Sequence, residues 1–167
     1  MLDPAVTRAE LAIEYPVLQE RAKRADWEVS LDVDQLKLKV QLIHERTGQL
    51  YILRGHLDGY KAIPPAWEFV DPETGEEGTA AAYPEPPSPA PGGSALFIIP
   101  TPLERVICLP CNRLAYGDYK GPHANWTLTN WMQENPRYLT LCEMVNRINI
   151  DLQASKGPWG ARKDPQR

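Results

Sequence analysis

Three consecutive segments in which apolar and polar residues alternate restrict the fold of this chain more than any other feature. They cover residues 27–33, 36–43 and 49–54, and a fourth short apolar run follows at residues 66–70. Alternation with a period of two is typical of strands that are buried on one face only. Because connections as short as Asp34-Gln35 join neighbouring segments, successive strands are expected to run antiparallel. The sequence therefore predicts a four-stranded antiparallel meander.

Helical signals lie on both sides of the strand segments. Asp3 followed by Pro4 is typical of an N-cap with proline at the first helical position, and predicts a helix that ends near Arg24. Pro16 lies inside this helix and is expected to kink it or to divide it in two. Further helices are predicted over residues 129–134 and 136–154. Because a one-sided sheet needs cover, these helices are expected to pack on it, which gives an α+β fold class.

Length and composition fit one domain in a reducing compartment. The chain has 167 residues, 43% of them hydrophobic, which is enough for one domain with a sizeable core. We expect this domain to span residues 1–155, with a proline-rich surface loop at 78–93 and a flexible tail at 156–167. The sequence has no apolar run of the roughly 20 residues that cross a bilayer and no secretory signal at its start, so reduced thiols and a cytoplasmic location are expected. The net charge of -4 without a basic stripe argues against a nucleic-acid partner.

Two of the three cysteines lie in one segment that is rich in turn residues. Cys108 and Cys111 are three positions apart in this segment, and His123 follows a little further along the chain. A short apolar strand, predicted to end at Pro100, precedes them. A cysteine that follows a buried strand and lies in polar, irregular chain is well placed to react. The sequence therefore predicts that Cys108 is a nucleophile that carries an acyl group as a thioester. Cys111 could be a packed neighbour, a resolving thiol or the nucleophile itself, and the neighbouring residues favour Cys108.

The same cysteines are compatible with a zinc site. Cys108 and Cys111 have the spacing of a zinc half-site, which His123 together with Cys142 or His56 could complete. A single Cys-x-x-Cys pair is a weak zinc signal, and Cys142 lies among the apolar positions of the predicted C-terminal helix, where a packed and unreactive thiol is expected. A thiol-redox enzyme is less favoured, because the pair does not open a helix after a strand.

The order of the predicted elements and several residues resemble ubiquitin-conjugating enzymes. Tyr60, the Pro64-Pro65 pair and the strand that follows it are similar to the signature of that family before and in its fourth strand. The Ile-Cys-Leu tripeptide around Cys108 is similar to the residues around the family's catalytic cysteine, and Trp126 to the tryptophan that follows it. The resemblance covers residues 6–152. It implies the conjugating-enzyme fold: an N-terminal helix, a four-stranded antiparallel meander and C-terminal helices.

One departure from the family places the chain nearer to a divergent branch. The family has His-Pro-Asn shortly before the cysteine, where this chain has Ile99-Pro100-Thr101. In this respect the chain is more similar to divergent bacterial conjugating-enzyme-like proteins, which are encoded beside a ubiquitin-like protein, an activating-enzyme-like protein and a JAB-type metallopeptidase, often in anti-phage operons. In that branch another polar residue is thought to replace the asparagine, and His123 is the candidate here.

The resemblance implies an activity and a set of partners. Cys108 would accept a ubiquitin-like protein from an activating enzyme as a thioester and transfer it to an amine, without a cofactor. The partners would be the ubiquitin-like protein, an activating enzyme that contacts the N-terminal helix, and the metallopeptidase. A binding module with the same fold and no catalysis is the main alternative, ahead of a zinc-stabilised interaction domain.

This chemistry makes specific demands on the residues around the sulfur. An electropositive environment would lower the pKa of Cys108, and the oxyanion formed during transfer needs a hydrogen-bond donor. The candidate cations are Arg105, Arg113 and protonated His123. The candidate donors are His123, Asn112, Asn125, Thr101 and backbone amides, and the candidate bases for the incoming amine are Asp118 and His123.

Overall fold

The computed structural model describes residues 3–87, 97–98, 105–134 and 136–159. In chain order the helices and strands are α1 Pro4–Ala25, β1 Glu28–Asp32, β2 Lys37–Ile43, β3 Leu50–His56, β4 Ala66–Val70, β5 Phe97–Ile98, β6 Val106–Ile107, α2 Trp131–Glu134 and α3 Leu141–Ala154. Single 3₁₀ turns lie at Ala80–Ala82, Arg113–Ala115, Gly117–Tyr119 and Leu128–Asn130. No helix among the described residues combines the length and the apolar character needed to cross a membrane.

The predicted meander is confirmed. Strands β1 to β4 form one antiparallel sheet in the order of the chain. Its inner face carries the alternate apolar residues of each strand, such as Val40 and Leu53, both fully buried. Leu18 of α1 and Ile148 of α3 join these side chains in one hydrophobic cluster, so the helices cover one face of the sheet. The fold class is α+β, as the sequence predicts.

Helix α1 begins as predicted but is not divided. The Asp3 carboxylate accepts a hydrogen bond of 2.9 Å from the Ala5 amide, which is the expected N-cap. Pro16 lies inside the helix, and the helix continues through it to Ala25, so the predicted division is wrong. The ring of Pro16 is exposed. Because it points to water, it displaces no core side chain, and the helix tolerates the lost hydrogen bond.

A buried carboxylate joins α1 to two other parts of the fold. Glu14 lies in α1 and is only 7% exposed. One oxygen accepts hydrogen bonds from the Tyr60 hydroxyl at 2.7 Å and from the Leu141 amide at 2.8 Å, and the other lies 2.6 Å from Lys61 Nζ. Leu141 is the first residue of α3, where backbone N–H groups have no partner within the helix. Glu14 therefore fixes α1 against α3 and against the connection from β3 to β4.

Helix α3 begins five residues later than the sequence predicts, at Leu141 instead of Pro136. The Thr140 hydroxyl accepts from the Glu143 amide at 3.3 Å, and the Glu143 carboxylate accepts from the Thr140 amide at 3.0 Å. This reciprocal pair is a capping box. It ends the irregular chain at Thr140, so the start predicted from the Asn-Pro dipeptide is wrong.

The proline-rich loop and the tail are more ordered than expected where the structure describes them. Tyr83, in the predicted surface loop, is 1% exposed and packs edge-on against Phe69 with ring centroids 5.2 Å apart. Lys156 donates its backbone N–H to the Glu85 carbonyl at 2.9 Å, and Glu85 donates to the Gly157 carbonyl at 2.8 Å. The described part of the loop is therefore anchored to the core at Tyr83 and paired with the start of the tail, while Ala80, Ala81, Lys156 and Trp159 are exposed. Residues 88–93 and 160–167 lie outside the described residues.

Replacement of Glu14 by alanine tests its role in the fold. We expect Glu14→Ala to lower the free energy of unfolding by about 2–4 kcal/mol, because it leaves the Leu141 amide at the start of α3 without its acceptor and removes the ion pair with Lys61. The Tyr60 hydroxyl keeps the Leu139 carbonyl, 3.0 Å away, as an acceptor. Urea denaturation of the full chain measures this change. Glu10→Ala is the matched control: Glu10 lies one turn earlier and only 3.6 Å from Lys61 Nζ, and it is 37% exposed. A similar loss in both variants would contradict the role given to Glu14.

Candidate functional site

Cys108 directly follows a buried strand. Val106 and Ile107 form β6, are 1% and 0% exposed, and pair with β5. The sequence predicts a strand before the cysteine at residues 97–101. The structure has Phe97–Ile98 as the partner of β6, and residues 99–101 lie outside the described residues. The predicted environment is therefore present, although the strand next to the cysteine is one that the sequence did not reveal. Cys108 itself is half-buried.

Asn112 ties the cysteine segment to the sheet. Its side-chain oxygen accepts from the Trp67 amide at 2.9 Å and from the Leu114 amide at 3.3 Å. Its side-chain nitrogen donates to the Trp67 carbonyl at 3.1 Å and to the Ile107 carbonyl at 2.9 Å. Both N–H groups and the oxygen are thus in use, and the residue is 0% exposed. Asn112 cannot donate to an oxyanion without breaking these bonds, so its candidacy as a donor is wrong.

The arginines near the site do not supply the expected positive charge to the thiol. Arg113 is 5% exposed, and its guanidinium donates to the backbone carbonyl of Asp58 at 2.8 Å and to its carboxylate at 2.5 Å. Partial burial acts to raise the pKa of Asp58, but the bond from Arg113 outweighs it and holds that pKa below its usual value. Arg105 stacks on the Trp159 ring, with 4.5 Å between its guanidinium carbon and the ring centroid. Both charges are therefore engaged by other groups.

His123 is brought back to the cysteine by a tight reversal of the chain. The chain forms two 3₁₀ turns, at Arg113–Ala115 and Gly117–Tyr119, and then runs back beside these turns. The His123 amide donates to the Ala115 carbonyl at 3.0 Å, and the His123 carbonyl accepts from the Gly117 amide at 3.1 Å. The backbone of His123 is therefore fixed on both sides, which restricts where its imidazole can lie.

A glycine makes this reversal possible. A Cβ atom at Gly121 would lie 2.3 Å from the carbonyl carbon of Ala115 and 2.3 Å from the carbonyl oxygen of Leu114. Backbone atoms cannot move aside as the end of a flexible side chain can, so no larger residue fits at this position. This close backbone approach at Gly121 allows His123, which follows two residues later, to lie next to Cys108.

The two residues that the sequence singles out lie in contact. Cys108 Sγ and His123 Nε2 are 2.7 Å apart. The imidazole stacks on the indole of Trp126, with 3.6 Å between ring centroids and 3° between ring planes. A thiol that gives its proton to Nε2 needs a tautomer with the other proton on Nδ1. This is the arrangement of a nucleophile beside a general base.

Burial sets the protonation of this pair. It raises the pKa of Cys108 to about 11 and lowers the pKa of His123 below its usual value. Both changes favour the uncharged form, so near neutral pH the pair rests as a thiol and a neutral imidazole. The expected electropositive environment, with a lowered cysteine pKa and a protonated His123, is therefore wrong. In its place the structure has a neutral base in contact with the thiol.

Of the remaining candidate residues, two are packed thiols, two are exposed and one lies outside the described residues. Cys111 is 0% exposed, and burial raises its pKa to about 12, so it is a packed thiol. Cys142 packs against the core, as predicted. Asn125 and Asp118 are exposed. Thr101 lies outside the described residues.

Of the proposed zinc ligands, Cys108 and His123 lie in contact, but no third ligand joins them among the described residues. Among the described residues, three potential ligand atoms lie within 4.8 Å of one another at His56, Glu68 and Glu77, a set that contains no cysteine. This set lies beside Arg54 on the outer face of the sheet. Arg54 and His56 bind separate oxygens of Glu77, so its carboxylate is already neutralised. Among the described residues, neither cysteine of the Cys-x-x-Cys pair belongs to a cluster of three potential metal ligands.

Two features of the site were missed at the level of sequence. Gly121, which allows the reversal, lies in a Gly-Pro-His tripeptide that indicates a turn but not its direction. The sequence identifies Trp126 only by its similarity to the tryptophan that follows the catalytic cysteine in the conjugating enzymes, and the structure shows that it stacks on His123. The three-residue spacing is the signal for this contact, because the Trp126 amide donates to the His123 carbonyl at 3.2 Å in one turn.

The chain was compared with protein-family models, with curated proteins and with solved structures, and none of the three comparisons gave a match. The functional assignment therefore depends on the residues of the site.

The pH dependence of Cys108 alkylation tests whether His123 acts as its base. Proton transfer within the neutral pair conserves the total number of protons, so we expect a rate that is independent of pH between the pKa of His123 and about 11. Below the lowered pKa of His123 the base is protonated and the rate falls. In His123→Ala the plateau should be lost, and the rate should fall about tenfold per pH unit below the cysteine pKa. Iodoacetamide labelling resolved by peptide mass spectrometry measures these rates.

His56→Ala is the matched control for the loss of an imidazole. His56 lies on the outer face of the sheet, where it binds Glu77, and its removal should leave the plateau in place. Equal slopes in the wild-type protein and in His123→Ala would show that His123 does not assist the thiol.

Proposed function

We propose that this protein is a ubiquitin-conjugating enzyme-like transferase. It accepts a ubiquitin-like protein on Cys108 from an activating enzyme and transfers it to an amine, in the cytoplasm, where the thiol stays reduced. The observation that carries the proposal is the 2.7 Å contact between Cys108 Sγ and His123 Nε2, beside an antiparallel meander covered by helices. The resemblance of residues 60–69 and of the Ile-Cys-Leu tripeptide to the conjugating enzymes supports the choice of substrate.

In the first step, Cys108 Sγ attacks the C-terminal carbonyl carbon of the ubiquitin-like protein. That carbon arrives as a thioester on a cysteine of the activating enzyme. As the new carbon–sulfur bond forms, the thiol proton passes to His123 Nε2, and the bond to the activating enzyme breaks. The departing thiolate then takes the proton from the imidazolium. The step exchanges one thioester for another, so no external energy source is needed at this site.

In the second step, an amine attacks the thioester carbon on Cys108. The tetrahedral intermediate carries a negative oxygen, and the attacking nitrogen must lose a proton. His123 takes that proton, because it is neutral before the attack and lies beside the sulfur. The intermediate then collapses to an amide, and Cys108 departs as a thiolate that recovers a proton from the imidazolium. Enzyme and base return to their starting forms.

The partners follow from the same chemistry. The proposed substrate is a protein with a flexible C-terminal tail, because an extended chain end fits beside a half-buried sulfur more readily than a folded surface does. The N-terminal helix presents Val6, Ile13 and Val17 to solvent, 55%, 69% and 58% exposed, which is consistent with a contact for the activating enzyme. A JAB-type metallopeptidase is proposed to remove the ubiquitin-like protein again, by resemblance to the bacterial systems.

A charging assay tests the proposal. The purified protein is mixed with the neighbouring operon products, which are the ubiquitin-like and activating-enzyme-like proteins, and with ATP. We expect an adduct that dithiothreitol removes. Cys108→Ala should abolish it, whereas Cys111→Ala and Cys142→Ala should keep it, since Cys111 is buried and Cys142 packs on the core. Gel mobility and intact mass measure the adduct.

Discharge to free lysine separates the role of His123 from that of the sulfur. His123→Ala should still charge, although more slowly, because its thiol has lost the neighbouring proton acceptor. Once charged, it should transfer to the amine about a hundredfold more slowly than the wild-type protein, because the amine loses its base. His56→Ala should match the wild-type protein. Failure of the folded wild-type chain to form any thiol-sensitive adduct, although the activating enzyme itself becomes charged, would favour the binding module without catalysis.

A further inference from the structure

We infer that Trp126 is a positioning residue that holds the imidazole of His123 in the plane in which Nε2 faces the sulfur of Cys108. This role rests on the proposed function for its use in acyl transfer, but the geometry that supports it does not depend on any partner. Three observations lead to it: the stack itself, the lack of a hydrogen bond to Nδ1 of His123 among the described residues, and the contact of Tyr116 with the indole.

The stack restricts rotation of the imidazole. The rings of His123 and Trp126 are parallel to within 3°, with centroids 3.6 Å apart, which is van der Waals contact over the whole imidazole face. Rotation of His123 about its Cβ–Cγ bond would drive one edge of the ring into the indole. The imidazole therefore stays in one plane, and Nε2 lies 2.7 Å from Cys108 Sγ in that plane.

No hydrogen bond replaces this restraint within the part of the chain that the structure describes. A histidine that serves as a base is usually oriented by a third group, which accepts a hydrogen bond from the ring nitrogen that does not face the nucleophile. Among the described residues, no group forms a hydrogen bond with Nδ1 of His123. The polar contact of the ring in this part of the chain joins Nε2 to Cys108 Sγ. The indole therefore takes the orienting place that a carboxylate or an amide has in other nucleophile–base pairs.

The indole is itself supported from the cysteine side. Tyr116 is fully buried and meets Trp126 edge-on, with 5.3 Å between centroids and 66° between planes. The Tyr116 hydroxyl donates to the carbonyl of Pro110 at 2.7 Å. Pro110 lies two residues after Cys108, so the same tyrosine contacts the cysteine segment and the support of the base. Tyr116 therefore connects the cysteine segment to the indole that stacks on His123.

The indole has a second effect through solvation. It covers one face of the imidazole and removes water from it, and burial is the cause of the lowered pKa of His123. A base that remains neutral near physiological pH can accept a proton from the thiol or from an amine. Loss of the indole should therefore change both the orientation of the imidazole and the pH range over which the imidazole is neutral.

Alkylation of Cys108 as a function of pH tests the role in the full chain, with Trp126→Ala and Trp126→Phe. In Trp126→Ala we expect the rate at neutral pH to fall between about tenfold and about a hundredfold, because the base is no longer held in place. The pH at which the rate falls on the acid side should move upward, toward that of an ordinary histidine. Trp126→Phe keeps a flat ring under the imidazole and should recover most of the rate and of the shift.

Trp159→Ala is the matched control. Trp159 is 47% exposed and stacks on Arg105, so its removal deletes an indole without touching His123. Circular dichroism and the urea midpoint establish that each variant folds. The positioning role would be overturned if a folded Trp126→Ala alkylated at the wild-type rate with the same fall in rate at acid pH. It would also be overturned if Trp126→Phe alkylated no faster than Trp126→Ala.

The charging assay separates this inference from the proposed function. A changed alkylation profile in Trp126→Ala, together with a wild-type chain that never forms an adduct, would leave the positioning role standing and remove the conjugating activity. A normal profile together with normal adduct formation would remove the positioning role alone.

Discussion

The side-chain amide of Asn112 is the interaction on which the site depends. It accepts from and donates to the same residue of β4, Trp67, and so adds to the edge of the sheet as a further strand would. Its second donor bond holds the carbonyl of Ile107, the residue directly before Cys108. Because all four bonds are made in a fully buried place, loss of any one leaves a polar group without a partner. The segment that carries Cys108 is in this way fixed to the most regular part of the fold, although Cys108 lies in irregular chain.

Burial decides how the chemistry can start. The pKa of Cys108 is raised to about 11 and that of His123 is lowered, so the charged pair of thiolate and imidazolium is disfavoured in the resting protein. In the proposed reaction the proton leaves sulfur only while the sulfur is bonding to carbon and losing its charge. A resting thiol is also much less prone to oxidation than a thiolate. The arrangement thus favours a nucleophile that becomes active only when an acyl carbon is in place.

More of the fold than of the site could be predicted from the sequence. The meander follows from a period of two, which is a local property, and Cys108 stands out by its immediate neighbours. The burial of Glu14 could not be predicted, because it depends on partners 46 and 127 positions away. The contact of Cys108 with His123 depends on the close backbone approach at Gly121, and a turn tripeptide does not reveal its direction. His123 was named by resemblance, and only the folded chain supplies its distance from the sulfur.

The departure from the conjugating-enzyme pattern has a physical consequence for His123. In the family an asparagine precedes the cysteine, whereas the buried Asn112 follows Cys108 here and has no free donor for an oxyanion. In the proposed transfer, once the imidazole has taken the proton of the amine, it carries a positive charge and an N–H at Nε2, close to the carbon that bears the developing oxyanion. One group then serves in succession as the base and as the source of electrostatic stabilisation. That double role requires an imidazole which is neutral before the attack and fixed in direction during it, and the burial of the ring and its stack on Trp126 supply these two properties.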